Sequence, residues 1–329
     1  INDLAGLRNL VNLEYLDMSR FDPHVRILQH PETLSRLTKL QYLALSRTPV
    51  TSQILNSILP LRNLRNLHLA HTNLSALPDN FFPSFPALTL LDLRKANVHG
   101  EIPANIIASP MLSELLLQDN NLRGSIPEGI CQLQNLTILN LTNNGLVGSI
   151  PPCLGNITSL TILALGINSL VGELPDSLGD LQNLSILDLR LNHLQGNISV
   201  SLGQLKNLTE LNLAGNILTG QLPFEVGGLF QESLVVLDAS NNFLAGELEL
   251  ITMGNPNSHL VPPLLSLLSL LSLLFSLFSL LSVFSLCFLS VLSSLSFLSS
   301  LSLSLSSLSL ISYPYHIGPI KQLHNRRVI

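Results

Sequence analysis

One displacement governs this sequence. "LTILNLTNNGLVGSIP" (Leu136 to Pro151) superimposes on "LTILALGINSLVGELP" (Leu160 to Pro175) after 24 residues, and "LSILDLRLNHLQGNIS" (Leu184 to Ser199) and "LTELNLAGNILTGQLP" (Leu208 to Pro223) continue the series. The asparagine that closes each Leu-x-Leu-x-x-Asn core falls at Asn120, Asn144, Asn168, Asn192, Asn216 and then Asn242. Upstream the same slot holds Phe21, Thr48, Thr72 and Ala96, which makes ten repeats, the first three irregular. A unit this short cannot bury its own leucines, so its copies must stack until each covers the next.

Alternate residues of a strand point to opposite faces. In Leu139-Asn140-Leu141 the leucines therefore point inward, and Asn140 is expected to point to solvent. The recurrent slot asparagine is predicted to be nearly buried, its amide bonding backbone groups of neighbouring turns that would otherwise go unpaired. Glycines such as Gly148, Gly172 and Gly220 permit the bend that follows. The expected architecture is an α/β solenoid with a parallel sheet on the concave face, strands roughly 4.8 Å apart, and short 3₁₀ or irregular segments on the other face. It should occupy residues 1–250, followed by a linker over 251–263.

The endings "LRGSIP" (Leu122 to Pro127), "LVGSIP" (Leu146 to Pro151) and "LVGELP" (Leu170 to Pro175) resemble those of plant extracellular leucine-rich repeats, found in receptor-like proteins, receptor-like kinases and polygalacturonase inhibitors. The resemblance covers about residues 1–250. It implies a right-handed superhelix of about ten repeats that recognises a peptide, carbohydrate or protein ligand outside the cell, with a co-receptor kinase as partner. The cysteine-paired N-terminal cap, a C-terminal cysteine cap after Asn242 and a kinase domain are missing from this sequence. The leading expectation is the ectodomain of a receptor-like protein at the plasma membrane, signalling through a partner kinase. The alternatives are a soluble cell-wall repeat protein that inhibits a hydrolase, and an intracellular scaffold.

Solvent-facing strand positions form columns. Repeats one to five offer Tyr15, Asp17, Arg20, Tyr42, Arg47, His68, His71, Asp92, Arg94, Lys95, Glu114 and Asp119. Repeats six and seven offer Ile138, Asn140, Thr142, Asn143, Ile162, Ala164, Gly166 and Ile167. Aromatic and arginine side chains are the usual anchors of interfaces, which selects the first group as the candidate ligand-binding face; the alternative is a solvated face that keeps the solenoid soluble. Leu90, Ile138, Ile162, Ile186 and Val236 form a column read as half-covered packing. Sequons at Asn73, Asn135, Asn140, Asn156, Asn183, Asn197 and Asn207 are glycosylation candidates. Asn135, Asn183 and Asn207 share one repeat slot, so the consensus itself generates part of the pattern; a glycan on Asn140 would obstruct the concave face.

No phosphate-binding glycine loop, kinase lysine, HRD or DFG segment or Gly-x-Ser-x-Gly elbow occurs. No enzyme activity, cofactor or metal site is expected. His68 and His71 lack further ligands at metal spacing and are read as surface histidines. All 21 acidic residues lie at or before Glu249, and later charges are only Lys321, Arg326 and Arg327, so the repeats are acidic overall and give no sign of nucleic-acid binding. Three cysteines are too few for a disulfide framework. Cys131 and Cys153, nearly one repeat apart, could approach each other, but are read as two isolated buried thiols.

With no initiator methionine and no charged-then-apolar leader before Ile1, the chain reads as a fragment lacking its true start. Residues 264–312 form a Leu/Ser-rich tract, followed by a short basic tail over 313–329. As one helix the tract would run roughly 75 Å, against a hydrocarbon core of about 30 Å. Apart from Val283, Cys287, Val291 and Ile311, residues 262–312 are Leu, Ser, Phe or Pro, which pyrimidine-only codons can write. Two readings stay open: a transmembrane segment with "KQLHNRR" on the cytoplasmic side, and translated non-coding sequence.

Overall fold

The computed structural model describes residues 7–20, 30–224, 226 and 233–245, together with the backbone of 259–261. The described residues all fall within one compact unit, Ile1–Leu265. The tract at 264–312, the tail at 313–329, Phe21 and Cys287 lie outside the described residues.

Each repeat contributes one three-residue strand to a single parallel sheet, from Tyr15–Asp17 and Tyr42–Ala44 through to Glu210–Asn212 and Val236–Asp238. An eleventh strand, His259–Val261, pairs parallel with Val236–Asp238. The sheet therefore continues into the stretch expected to be a linker over 251–263, where the Leu-x-Leu pattern no longer marks it. Register is set by the central leucines: Leu115, Leu139, Leu163, Leu187 and Leu211 lie directly opposite one another. All five are fully buried. A one-residue slip would turn all of them outward, which fixes the pairing.

The slot asparagines form the expected polar spine. Asn168 Nδ2 donates to the carbonyls of Leu141 and Leu165, both at 3.0 Å. Its Oδ1 accepts the Leu146 N–H at 3.1 Å. Asn120, Asn144, Asn192 and Asn216 repeat the arrangement. In the irregular repeats threonine performs half of this work: Thr72 Oγ1 donates to the Leu69 carbonyl at 2.6 Å without reaching the preceding coil.

Short 3₁₀ segments cover the far face as expected, including Glu128–Gln132, Pro152–Asn156 and Asp176–Asp180. Ser52–Ile58 and Phe81–Ser84 are instead α-helical, in the irregular repeats. Thr51 caps the first of these by accepting the Ile54 N–H, while three edge-packed rings, Phe81, Phe82 and Phe85, fill the space under the second. Two further parallel ladders were not anticipated. His99–Glu101 pairs with Asn121–Arg123, and Ile217–Thr219, His193–Asn197, Ser169–Glu173 and Val147–Gly148 form a four-stranded sheet. They arise where the buried leucine and the positive-φ glycine of each "LxG" pull the descending chain against its neighbour, as at Leu170 and Gly172.

Cys131 and Cys153 are joined in a disulfide with Cα atoms 5.6 Å apart. This corrects the expectation of isolated thiols. The two cysteines are 22 residues apart, close to one repeat, and both lie on successive 3₁₀ segments, so stacking brings their β-carbons into bonding range. Closing a loop of this length contributes about 3 kcal/mol. Cys153→Ser, measured by urea unfolding against the oxidised parent, should show that loss, and reduction should abolish the difference between the two proteins.

Candidate functional site

The concave face carries two outward columns along the strands. The first begins Tyr15, Tyr42, Asn66, Leu90, Glu114 and Ile138; the second begins Asp17, Ala44, His68, Asp92, Leu116 and Asn140. The Tyr15 and Tyr42 rings stack at 4.2 Å with planes 10° apart, and His68 leans on Tyr42 at 5.1 Å. Three of the expected interface residues are thus one contiguous aromatic ridge. Burial, then a hydrogen bond with Tyr15, pushes the Tyr42 phenol up to about 12, so it remains a neutral donor at any physiological pH.

Asp92 is the electrostatic centre of this region. Its side chain is 3% exposed and binds Arg94 through two parallel contacts, Nε to Oδ1 at 2.9 Å and a terminal nitrogen to Oδ2 at 2.7 Å. His68 Nδ1 lies 3.6 Å from Oδ2. Burial alone would push this carboxyl up, but His68 and Arg94 outweigh it and bring it down to about 2. The folded value is below the ordinary 3.8, so the stabilisation is fully present above pH ~4 and is lost as pH falls through ~2. Arg94→Ala should destabilise the protein by about 2 kcal/mol or more at pH 6, because it strips a buried carboxylate of its main partner. The difference between the two proteins should shrink as pH falls from 4 through about 2, as Asp92 takes up a proton in the parent as well. Arg190→Ala should cost much less, since Arg190 Nε stands 3.6 Å from Asp188, whose carboxyl burial pushes up.

Asp17, Asp92, Asn140, Asp188, Asn212 and Asp238 share one use: each Oδ1 accepts the N–H two residues on, as in Asn140 to Thr142 at 3.1 Å. This side-chain turn draws the residue down onto its own loop. Asn140 is consequently 7% exposed, which corrects the expectation that it points to solvent. Asn73, Asn135, Asn156, Asn183, Asn197 and Asn207 are exposed. Of these, Asn135, Asn183 and Asn207 donate Nδ2 to carbonyls of the preceding repeat, Pro110, Thr158 and Gln182. Leu90, Ile138, Ile162, Ile186 and Val236 are half-buried, in keeping with half-covered packing.

A third column begins just past the strands: Arg20, Arg47, His71, Lys95, Asp119, Asn143, Ile167, Leu191, Gly215 and Asn241. Its backbone is a continuous ladder, with Arg20 N donating to Ser46 O, Arg47 N to Ala70 O and His71 N to Arg94 O. Every member named has positive φ, from 51° at Leu191 to 68° at Gly215. Arg20, Arg47, His71 and Lys95 are exposed. Glu114 and Asp119 are half-buried, and Asp119 lies 4.0 Å from Lys95. Burial, followed by the charges of Arg47, Lys95 and Arg94, holds the His71 imidazole below the usual histidine range. One residue not anticipated is Gln118, whose Oε1 is buried without a partner; its position two residues past the strand is the only signal for it in the sequence. Among the described residues no cluster of three or more His, Cys, Asp or Glu could hold a metal.

Residues 111–133, 135–157 and 207–229 match the Leucine Rich Repeat family model. No curated protein matches the chain. Among solved structures, the Arabidopsis receptor kinase HAESA in complex with the peptide hormone IDA and the co-receptor SERK1 is 29% identical, with a TM-score of 0.62, over 72% of this chain and 39% of that one. The plant peptide hormone receptor RGFR1 in complex with RGF2 is 30% identical, with a TM-score of 0.55, over 65% of this chain and 38% of that one. A plant ice-binding protein is 29% identical, with a TM-score of 0.55, over 61% and 64%. The chain thus spans less than half the length of the two receptor chains. The fold is a leucine-rich repeat solenoid. With its "LxGxIP" endings and receptor-ectodomain neighbours, the solenoid is similar to the ectodomains of plant leucine-rich repeat receptors.

Proposed function

We propose that this chain is the ligand-recognition part of a plant receptor-like protein, facing the cell exterior and signalling through a partner kinase. The observation that carries this reading is the clustering of Tyr15, Tyr42 and His68 beside the exposed Arg47, His71 and Lys95 on repeats one to four. Aromatic and cationic side chains concentrated on one concave stretch are the composition of an interface. The neighbouring receptors are solved with peptide hormones, one also with a co-receptor. The disulfide supports an oxidising compartment, and the six exposed sequons fit the secretory route. Among the described residues no helix is long and apolar enough to cross a membrane; anchorage at the plasma membrane through 264–312 belongs to the proposal, and alkaline carbonate extraction tests it.

The full chain, expressed through the secretory pathway, should show an N-glycosidase-sensitive mass shift. Photo-cross-linking of the same protein to peptides from plant extracellular fluid should place cross-links on repeats one to five. Cross-links confined to the 3₁₀ face would overturn the assignment of the site.

A further inference from the structure

We infer that the third column of repeats one to four is a track for a short acidic segment of a peptide ligand; the inference rests on the recognition function proposed above and specifies its chemistry. The starting point is backbone conformation. Arg20, Arg47, His71 and Lys95 hold φ between 52° and 62°, a region that costs an ordinary side chain roughly 1–2 kcal/mol and that asparagine and glycine enter most easily. Asn143, Gly215 and Asn241 occupy the equivalent place in later repeats. Long cations stand where the turn itself favours a different residue, and strain of this kind points towards function.

Internal packing does not account for them. Leu191, in the same conformation, lies against Gly215, where an added β-carbon would meet its Cδ2 at 2.7 Å. Among the described residues the side chains of Arg20, Arg47 and His71 make no hydrogen bond or ion pair, and Lys95 has only Asp119 at 4.0 Å. The groups facing His71 are Arg47, Lys95, Arg94 and Asp92, and Asp92 is already taken by Arg94. The local charge is therefore unbalanced and positive.

Three repeat steps separate Arg20 from Lys95, about 14 Å at strand spacing, the length of about four extended residues. Asp119 ends the track and disfavours a longer run of negative charge. The neighbouring tyrosines argue for a peptide over an acidic polysaccharide. Tyr15 stacks on the Tyr42 ring from one neighbouring strand and His68 leans on it from the other, so Tyr42 keeps its edge available and has no free face. Ring edges are electropositive, whereas a sugar platform requires an open face.

The test uses the full chain and a fluorescent peptide with four consecutive glutamates, compared with its glutamine counterpart and with oligogalacturonate. Arg47→Glu with Lys95→Glu should weaken tetraglutamate binding at least tenfold, while Leu191→Asn leaves it unchanged. Binding should strengthen about threefold or more between pH 7.5 and 5.5 as His71 takes up a proton beside the bound anion, and His71→Gln should flatten that dependence. Equal binding of the glutamine peptide, tighter binding of oligogalacturonate, or indifference to the double charge reversal would each overturn the inference. If that happens while cross-links still map to repeats one to five, the recognition function stands and only the acidic chemistry falls.

Discussion

Asn168→Ala is expected to lower the unfolding free energy by about 3 kcal/mol. The four hydrogen bonds of this amide are not equivalent; the longest, from Nδ2 to the Gly166 carbonyl at 3.2 Å, goes to an oxygen that keeps the Asn143 N–H at 2.9 Å. The Leu141 carbonyl retains Asn144 Nδ2 at 3.1 Å, and the Leu165 carbonyl retains Asn192 Nδ2, also at 3.1 Å. The Leu146 N–H has only Asn168 Oδ1, and without it a buried donor is orphaned, at a cost of roughly 1–3 kcal/mol; the void left in a close-packed spine supplies the rest. The protein's own Ala96 does not contradict this. There the corresponding donor, Leu74 N–H, has been re-routed to the Ala96 carbonyl at 2.8 Å. Hydrogen exchange at Leu146 should accelerate together with the loss of stability. A cost below about 1 kcal/mol with Leu146 still protected would show that the backbone re-routes there as well.

The second large effect is steric. Gly155 lies on the 3₁₀ segment of repeat six, and an added β-carbon would collide with the Ser177 carbonyl of the next coil, with its carbon at 2.6 Å and the Ser177 Cβ at 2.7 Å. Gly179 stands in the same relation to Ser201. Because the obstacle is backbone, no rotamer change relieves it; the coils must separate or tilt. Gly155→Ala should cost about 3 kcal/mol or more, and combining it with Gly179→Ala should be worse still. Gly100→Ala separates the two penalties available to a glycine: its φ is +96° but nothing lies within 4 Å, so only the backbone term of about 1 kcal/mol applies. Equal losses at Gly100 and Gly155 in thermal unfolding would remove the steric account.

How far the sequence reveals this molecule follows from which interactions repeat. The strand register and the asparagine spine recur every 24 residues, so Leu139 and Asn168 declare their roles by position. What the period hides is pairwise and local. The Cys131–Cys153 bond needs two particular residues on neighbouring coils. The descent of Asn140 onto Thr142 N–H is a two-residue turn that strand alternation does not express. Tyr15, Tyr42 and His68 were legible as one face because alternation governs them. By contrast, the commitment of Arg94 to Asp92, which removes it from the free cations, depends on side-chain reach that no spacing rule supplies.

The position of the disulfide has a mechanical consequence. Among the described residues each coil is hydrogen-bonded only to its immediate neighbours, so a pull on either end of the repeats should peel them off one at a time. The bond between Cys131 and Cys153 joins repeats five and six, near the middle of the described coils. It acts as a crack-stopper: a tear advancing from the C-terminal side meets a covalent link before it reaches the coils that carry the tyrosines and the cationic track. Tension applied from the C-terminal side would strip the later coils first and leave Tyr15, Tyr42 and the cationic track folded behind the bond.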